Sequence, residues 1–297
     1  MSVVMVLVCS CGNAGTYIEG PKEYTGSIGT LSKMPDQTVI QDMGDNILQY
    51  MIKFNFSAGI NGQLNPLNAE QTDYILQNET SVGMPQINPD YVSPGKLEIV
   101  FSNGPIAILD KVSMKLTSFE LPQNLIPPID IEYLGEKREM TQELAEKIAR
   151  IWFDRFNFDL GNYKLNKITI GNSTSVVFTE KLEDPDVSSP NYVRAVISYW
   201  GMIEKFDIVV GPKPTIGTKP TLDESQIIDK AKSFLALPAE FNLDMKPYRV
   251  IKRLFKEENG KLNYTDKLAW FVDASGYKIE SRNQILTLDG HSGLPIQ

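Results

Sequence analysis

The chain has a single histidine, His291, in 297 residues, and only two cysteines, Cys9 and Cys11, both close to its start. One histidine excludes HExxH and every other multi-histidine metal site, and it leaves any serine or cysteine nucleophile one candidate base. With no cysteine after Cys11, the body has neither a disulfide framework nor a thiolate metal site. There is no P-loop and no strand-linked G-x-G-x-x-G, so nucleotide binding has no support. No window approaches the roughly 18 apolar residues that a membrane-spanning helix requires. Positive charge is also in short supply, 29 Lys plus Arg against 37 Asp plus Glu, for a net charge of -8. Such a field repels phosphate backbones, so nucleic acid is not an expected partner. The sequence implies no cofactor, no metal and no catalytic set, and predicts a protein that is not an enzyme.

What is present suits a folded body, with 42% hydrophobic and 22% charged residues. The start stands apart. Val3-Val4-Met5-Val6-Leu7-Val8 is a short apolar run, and Cys9-Ser10-Cys11-Gly12-Asn13 breaks it abruptly. The run is too short to span a bilayer but suits the h-region of a signal peptide. Leu7 to Ser10 followed by Cys11 resembles a bacterial lipoprotein signal, although no Lys or Arg precedes it and Cys9 stands where Gly, Ala or Ser is commoner. That resemblance implies Cys11 as the lipid attachment residue, with Cys9 the alternative, and an extracytoplasmic protein anchored to the cell membrane by lipid. Residues 1–11 are then the signal peptide ending at the lipidated cysteine. Residues 12–39, rich in Gly, Ser, Thr, Lys and Pro, read as a flexible tether.

Residues 40–132 read as a β-rich domain. Leu48, Tyr50, Ile52, Phe54 and Phe56 alternate, as do Leu97, Ile99 and Phe101, and the pattern continues through Ile106 to Ile108 and Val112, Met114 and Leu116. A short helix is expected over residues 68–76. Two further units, 133–212 and 213–297, share one pattern. Leu144, Ile148, Ile151 and Trp152 line one face of a helix over 141–156, and Ile227, Ala231, Phe234 and Leu235 repeat that spacing over 223–237. Strand-like runs follow each helix, and the proline-bearing stretch Gly211 to Pro220 reads as the boundary between units. The fold class is therefore α+β: an N-terminal β-rich domain, then two tandem units of one helix packed on a small antiparallel sheet.

Leu286-Thr287-Leu288-Asp289-Gly290-His291-Ser292-Gly293 is a strand followed by an Asp-led glycine turn, and Val272-Asp273-Ala274-Ser275-Gly276 is similar but one residue shorter. Helix, strands and such a closing turn resemble the PepSY domain, with Asp289, Ser292 and Gly293 as its turn motif and Leu294 where that family commonly has Glu. The resemblance covers about residues 140–297. It implies a binding or regulatory module that restrains proteases or modulates envelope signalling, with an envelope protein as partner and the membrane reached through the lipid anchor. A solute- or glycan-binding lipoprotein is the alternative, and a carboxylate-only hydrolase the third reading.

The aromatic pairs Tyr199-Trp200 and Trp270-Phe271 occupy comparable late-strand positions, where neighbouring side chains point to opposite faces. They are the candidate partner surface, with core packing as the competing assignment. Gly290-His291-Ser292-Gly293 departs from the nucleophile elbow G-x-S-x-G because Leu294 follows, so His291 reads as a solvated turn residue. Glu183-Asp184-Pro185-Asp186 lacks the ligand alternation of a calcium loop and reads as a solvated acidic loop. Replacing the proposed lipid attachment residue, Cys11→Ala, is expected to move the protein from the membrane to the soluble fraction; unchanged membrane retention in fractionated cells would defeat that assignment.

Overall fold

The computed structural model describes residues 18–42, 56–58, 64–67, 69, 72, 85–101, 106–121, 140–198, 201–237, 247–273 and 285–296. The strands are β1 (Glu23–Thr30), β2 (Phe56–Ala58), β3 (Leu64–Pro66), β4 (Pro85–Ile87), β5 (Lys96–Phe101), β6 (Ile106–Asp110), β7 (Leu116–Glu120), β8 (Tyr163–Thr169), β9 (Thr174–Glu180), β10 (Val187–Ser188), β11 (Tyr192–Ile197), β12 (Ile203–Val209), β13 (Tyr248–Glu258), β14 (Lys261–Asp273) and β15 (Ile285–Asp289). The two long helices are α1 (Gln142–Arg155) and α2 (Glu224–Phe234), and residues 37–42 are also helical. The class is α+β.

Two compact units divide the chain. One comprises Gly29–Thr179 and Tyr192–Val210; the other comprises Glu180–Asn191, Gly211–Gln297 and the described residues before Gly29. In the first, eight strands form one sheet in the order β4-β5-β6-β7-β12-β11-β9-β8. β5, β6 and β11 alternate buried and half-buried positions, and Ile99, Ala107, Phe119, Phe178, Ala195 and Phe206 are all fully buried in one core. α1 supplies the cover. Thr141 caps it by accepting a hydrogen bond from the Leu144 N–H at 3.2 Å, and Ala145, Ile148, Ala149, Trp152 and Phe153 form its buried stripe. The Trp152 ring stacks on Phe156 at 5.1 Å and meets Phe206 at 4.9 Å.

This sheet corrects the expected division at 132. β7, from the expected β-rich domain, pairs with β12, from the expected first helix-plus-sheet unit, through Lys205↔Glu120, Phe206↔Phe119 and Asp207↔Ser118. Alternation shows that a segment is a strand but not which strand lies beside it. The expected strand over 46–56 lies outside the described residues except for Phe56, and the expected helix over 68–76 does so except for residues 69 and 72.

In the second unit the sheet order is β1-β14-β13-β10, with β15 also paired to β14. Residues 23–30 are therefore not tether but an edge strand. Their few apolar residues, which resembled linker composition, reflect a strand exposed along most of its length. α2 begins with a capping box, in which Asp223 accepts from the Gln226 N–H and the Gln226 side chain accepts from the Asp223 N–H. It buries Ile227 and Ala231 against Trp270, Val272 and Leu288. Phe234, expected on that stripe, is 45% exposed, while Leu235 is buried, because the helix ends at Phe234 and Ala236 takes a left-handed φ of 54°.

Beyond α2, the same sheet face carries two arginines that other segments enclose. The Arg253 guanidinium donates from Nε and one Nη to Asp266, both at 2.7 Å, and further to Asn191 Oδ1 and the Pro212 carbonyl. Arg249 donates to Asp184 at 3.0 Å and to the Thr218 carbonyl at 3.1 Å. The stretch 211–220, expected as a boundary, is thus packed, with Ile216 and Thr218 buried. The acidic loop is not simply solvated either: Asp184 is fully buried against Arg249. A buried guanidinium left without its carboxylate costs about 3–5 kcal/mol. Asp266→Ala is accordingly expected to destabilise the second unit on that scale in urea unfolding, whereas Arg253→Met with Asp266→Leu should cost clearly less.

Candidate functional site

The antiparallel register of β13 and β14 sorts their side chains to two faces. Arg249, Ile251 and Arg253 lie opposite Trp270, Leu268 and Asp266 on the covered face. Tyr248, Val250, Lys252 and Leu254 lie opposite Phe271, Ala269, Lys267 and Thr265 on the other, and β15 extends this row by placing Thr287 beside Phe271. The adjacent candidates Trp270 and Phe271 therefore part company. Trp270 is buried beneath α2, its indole N–H donating to the Leu222 carbonyl at 3.2 Å. Phe271 is half-buried on the second face, its ring 4.9 Å from that of Tyr248. Cys11, Tyr199 and Trp200 lie outside the described residues.

Among the described residues that second face is open in part, with Ala269 in its middle fully buried. Tyr248 is 43% and Ile285 52% exposed. Burial against the sheet, and then the nearby Asp273 carboxylate, push the Tyr248 phenol up to about 12. It remains a neutral hydrogen-bonding group at physiological pH. Lys252 and Lys267 are register partners, and like charges directly opposite repel. Lys267 is neutralised by Glu23 at 2.8 Å, a hydrogen bond that raises its pKa, but Lys252 is exposed and makes no ion pair among the described residues. The signal for Tyr248 and Lys252 was present in the alternation of β13, but it identifies a functional face only once the covered face is known.

At the end of β15 the Asp289 carboxylate accepts from the His291 N–H at 3.0 Å, the Ser292 N–H at 2.8 Å and the Ser292 hydroxyl at 3.1 Å. The Gly293 N–H closes the turn onto the Asp289 carbonyl at 2.8 Å, with φ of 70° at Gly293. Any side chain there would be strained, and its Cβ would fall 2.1 Å from the Lys230 stem and 2.8 Å from Leu222. Asp289, Ser292 and Gly293 thus form a hairpin turn that seats against α2. The β6–β7 connection repeats it bond for bond. Asp110 accepts from the Val112 N–H, the Ser113 N–H and the Ser113 hydroxyl at 3.1, 2.8 and 2.9 Å, and Met114 closes the turn with φ of 56°. Sequence reasoning missed this copy, and read strand through Val112 and Met114, because Met stands at the left-handed position where Gly would have marked a turn.

Chemically, the buried carboxylates Asp184 and Asp266 are each held by an arginine, which suits them to structure rather than proton transfer. Among the described residues no three His, Cys, Asp or Glu side chains converge on a common point, and no helix is long and apolar enough to cross a membrane.

No protein-family model and no curated protein matches the chain. Among solved structures, it is similar to the Bacillus megaterium YpeB C-terminal domain, with 14% identity over 78% of this chain and 96% of that one, at a TM-score of 0.31. It is also similar to an uncharacterized protein from Eubacterium rectale, with 10% identity over 82% of this chain and 86% of that one, at a TM-score of 0.32. Superpositions this loose carry no argument about what the chain does.

Burial favours the neutral form of Asp289, but the hydrogen bonds from Ser292 and His291 outweigh it and hold the carboxyl below its usual value. The folded value being the lower one, the turn gains stability above the unfolded value and loses it as pH falls through the folded one. The Ser292 amide resonance should therefore titrate below the ordinary aspartate range, and in Asp289→Asn that step should vanish.

Proposed function

We propose that this chain is a non-catalytic lipoprotein of the cell envelope, anchored through Cys11, that acts by binding another protein on the open face of its five-stranded sheet. The observation that carries the reading is the pairing of Tyr248 and Phe271 on that face, with Lys252 further along the same strand making no ion pair among the described residues. Aromatic rings exposed on a rigid strand framework are the side chains that protein interfaces favour, since they offer large contact area at small entropic cost. Rows of side chains spread across three strands suit a broad contact more than a small solute. Lys252 selects for an acidic group beside apolar ones on the partner.

The PepSY resemblance supports the same reading. Each long helix is followed by an antiparallel meander, β8-β9-β11-β12 after α1 and β13-β14-β15 after α2. Restraint of a protease or modulation of an envelope signalling protein are the roles that follow from it.

The test is photocrosslinking on intact cells from a reactive group placed at position 248, with position 92, where Val92 is 92% exposed, as control. Protein adducts specific to position 248, reduced at least severalfold by Lys252→Glu, are expected. Equal labelling from both positions, or labelling indifferent to Lys252→Glu, would remove the open face from the function.

A further inference from the structure

The five-stranded sheet of the second unit leaves one long edge without a neighbouring strand among the described residues. On one side of the β13–β14 hairpin, β14 has β1 against its first half and β15 against its second. On the other side β10 pairs with β13 only at Arg249 and Val250, so the strand runs on from Ile251 to Glu258 with β14 alone beside it. Exposed edges are normally blunted by a bulge, a proline, a short length or charge of one sign, because unpaired backbone groups recruit other strands. This edge has none of these. Its eleven pairs with β14 run without a register shift, it contains no proline, and among its exposed side chains Lys252, Lys256 and Glu258 carry both signs.

The turn at the end of the hairpin fixes which backbone groups face outward. Asn259 and Gly260, with left-handed φ of 51° and 69°, form a two-residue reversal closed by Glu258 and Lys261. The closing pair exchanges its hydrogen bonds, and alternate residues repeat it. Glu258, Lys256, Leu254 and Lys252 therefore direct N–H and C=O at β14, while Phe255 and Arg253 direct theirs away from it.

An added antiparallel strand must match outward groups with outward groups, so a second copy of β13 can pair only in registers centred on a residue. Centring on Leu254 sets Lys252 against Lys256 of the second copy, and centring on Lys256 or Glu257 sets that residue against itself. Centring on Arg253 opposes two guanidiniums and runs into Ser188, already paired at Val250. Centring on Phe255 sets Lys252 against Glu258, twice by symmetry, at the closer, non-hydrogen-bonded kind of pair. Opposite charges there stabilise a ladder and like charges oppose it. Lys252 makes no ion pair among the described residues, and Glu258 meets the exposed Lys256 of its own strand on the same face.

We propose that β13 pairs antiparallel with β13 of a second copy of this chain, across a two-fold axis at Phe255. The axis stands perpendicular to the sheet, so the Tyr248 and Phe271 rows of both copies lie on the same side and the open face is doubled.

With Cys9 and Cys11 replaced by alanine the full chain has no thiol, so an added cysteine reports one position. In the proposed register positions 252 and 258 of the two copies lie about 4.5 Å apart between Cα atoms, within disulfide range. Two copies of position 252 lie about 20 Å apart. Mild oxidation of a mixture of Lys252→Cys and Glu258→Cys chains should therefore give a covalent dimer, and neither chain alone should. Both positions are exposed, so the variants keep the fold. Sedimentation of the purified thiol-free chain at physiological ionic strength should show a concentration-dependent dimer, weakened about tenfold by Lys252→Glu and regained in Lys252→Glu with Glu258→Lys. A chain that stays monomeric up to about 1 mM, an exchange of charges that regains nothing, or a mixture that cross-links no more than each chain alone would overturn the assignment. Only the purified chain is present, so the outcome is independent of whether another protein binds the open face.

Discussion

Two guanidinium groups placed on the helix-facing side of a β-hairpin govern the second unit. A sheet face that carried only Ile251, Leu268 and Trp270 could be closed by an amphipathic helix alone, but α2 contacts only the end of the face near Trp270 and β15. Arg249 and Arg253 sit beyond it, and each needs a carboxylate and carbonyl oxygens before it can be enclosed. The chain provides these from separate places: Asp184 and Asn191 from between β9 and β11, Asp266 from the facing strand, and the Pro212 and Thr218 carbonyls from the stretch after β12. Planar guanidinium geometry fixes the direction of each acceptor, so irregular segments are pinned almost as firmly as strands. The remaining features inherit their positions from this. Residues 217–221 are placed because the Thr218 carbonyl is held to Arg249, and β13 and β14 turn their other face outward because this one is occupied.

Much of the α+β character was legible in the residues, for a physical reason. Helix stripes such as Leu144, Ile148, Ile151 and Trp152, and alternations such as Leu97, Ile99 and Phe101, are written into local sequence by the periods of the two backbones. Partnership is not. Nothing in Leu116–Glu120 announces that it lies against Ile203–Val209, since strand pairing is settled by the whole core. Composition misled where solvent touches a strand: Glu23–Thr30 looks like linker because an edge strand has little to bury. Prolines marked where the second unit resumes, at Gly211, but not how closely that stretch is packed. Pro212, Pro214 and Pro220 do interrupt regular structure, but Pro212 offers a carbonyl to Arg253, so an irregular segment became a structural strap.

The turn motif shows both the reach and the limit of motif reading. Asp289, Ser292 and Gly293 form the turn that their residue types call for, yet the same hydrogen bonds recur at Asp110, Ser113 and Met114 in the other unit. A geometry used twice to reverse direction is first of all a hairpin device, with the aspartate satisfying N–H groups that the turn would leave exposed. What distinguishes the second copy is what it carries. His291 occupies the position whose side chain the turn does not use, while Gly290 packs against the Leu268 backbone, and the turn's fit against α2 through Gly293 sets where the ring of His291 stands. The motif therefore acts as a mount for the one side chain it leaves unused.

Charge shapes how the proposed surface meets a partner. A body of net charge -8 repels anions at long range, yet Lys252 on the open face lacks an acidic partner among the described residues. At physiological ionic strength the screening length is about 8 Å, so the global charge fades within a few atomic layers while a local cation still acts at contact. Such an arrangement does little to speed encounter and mainly strengthens what has already docked. It discriminates against polyanions, whose many charges meet the whole field, and in favour of ligands that present one compact anionic group to one site.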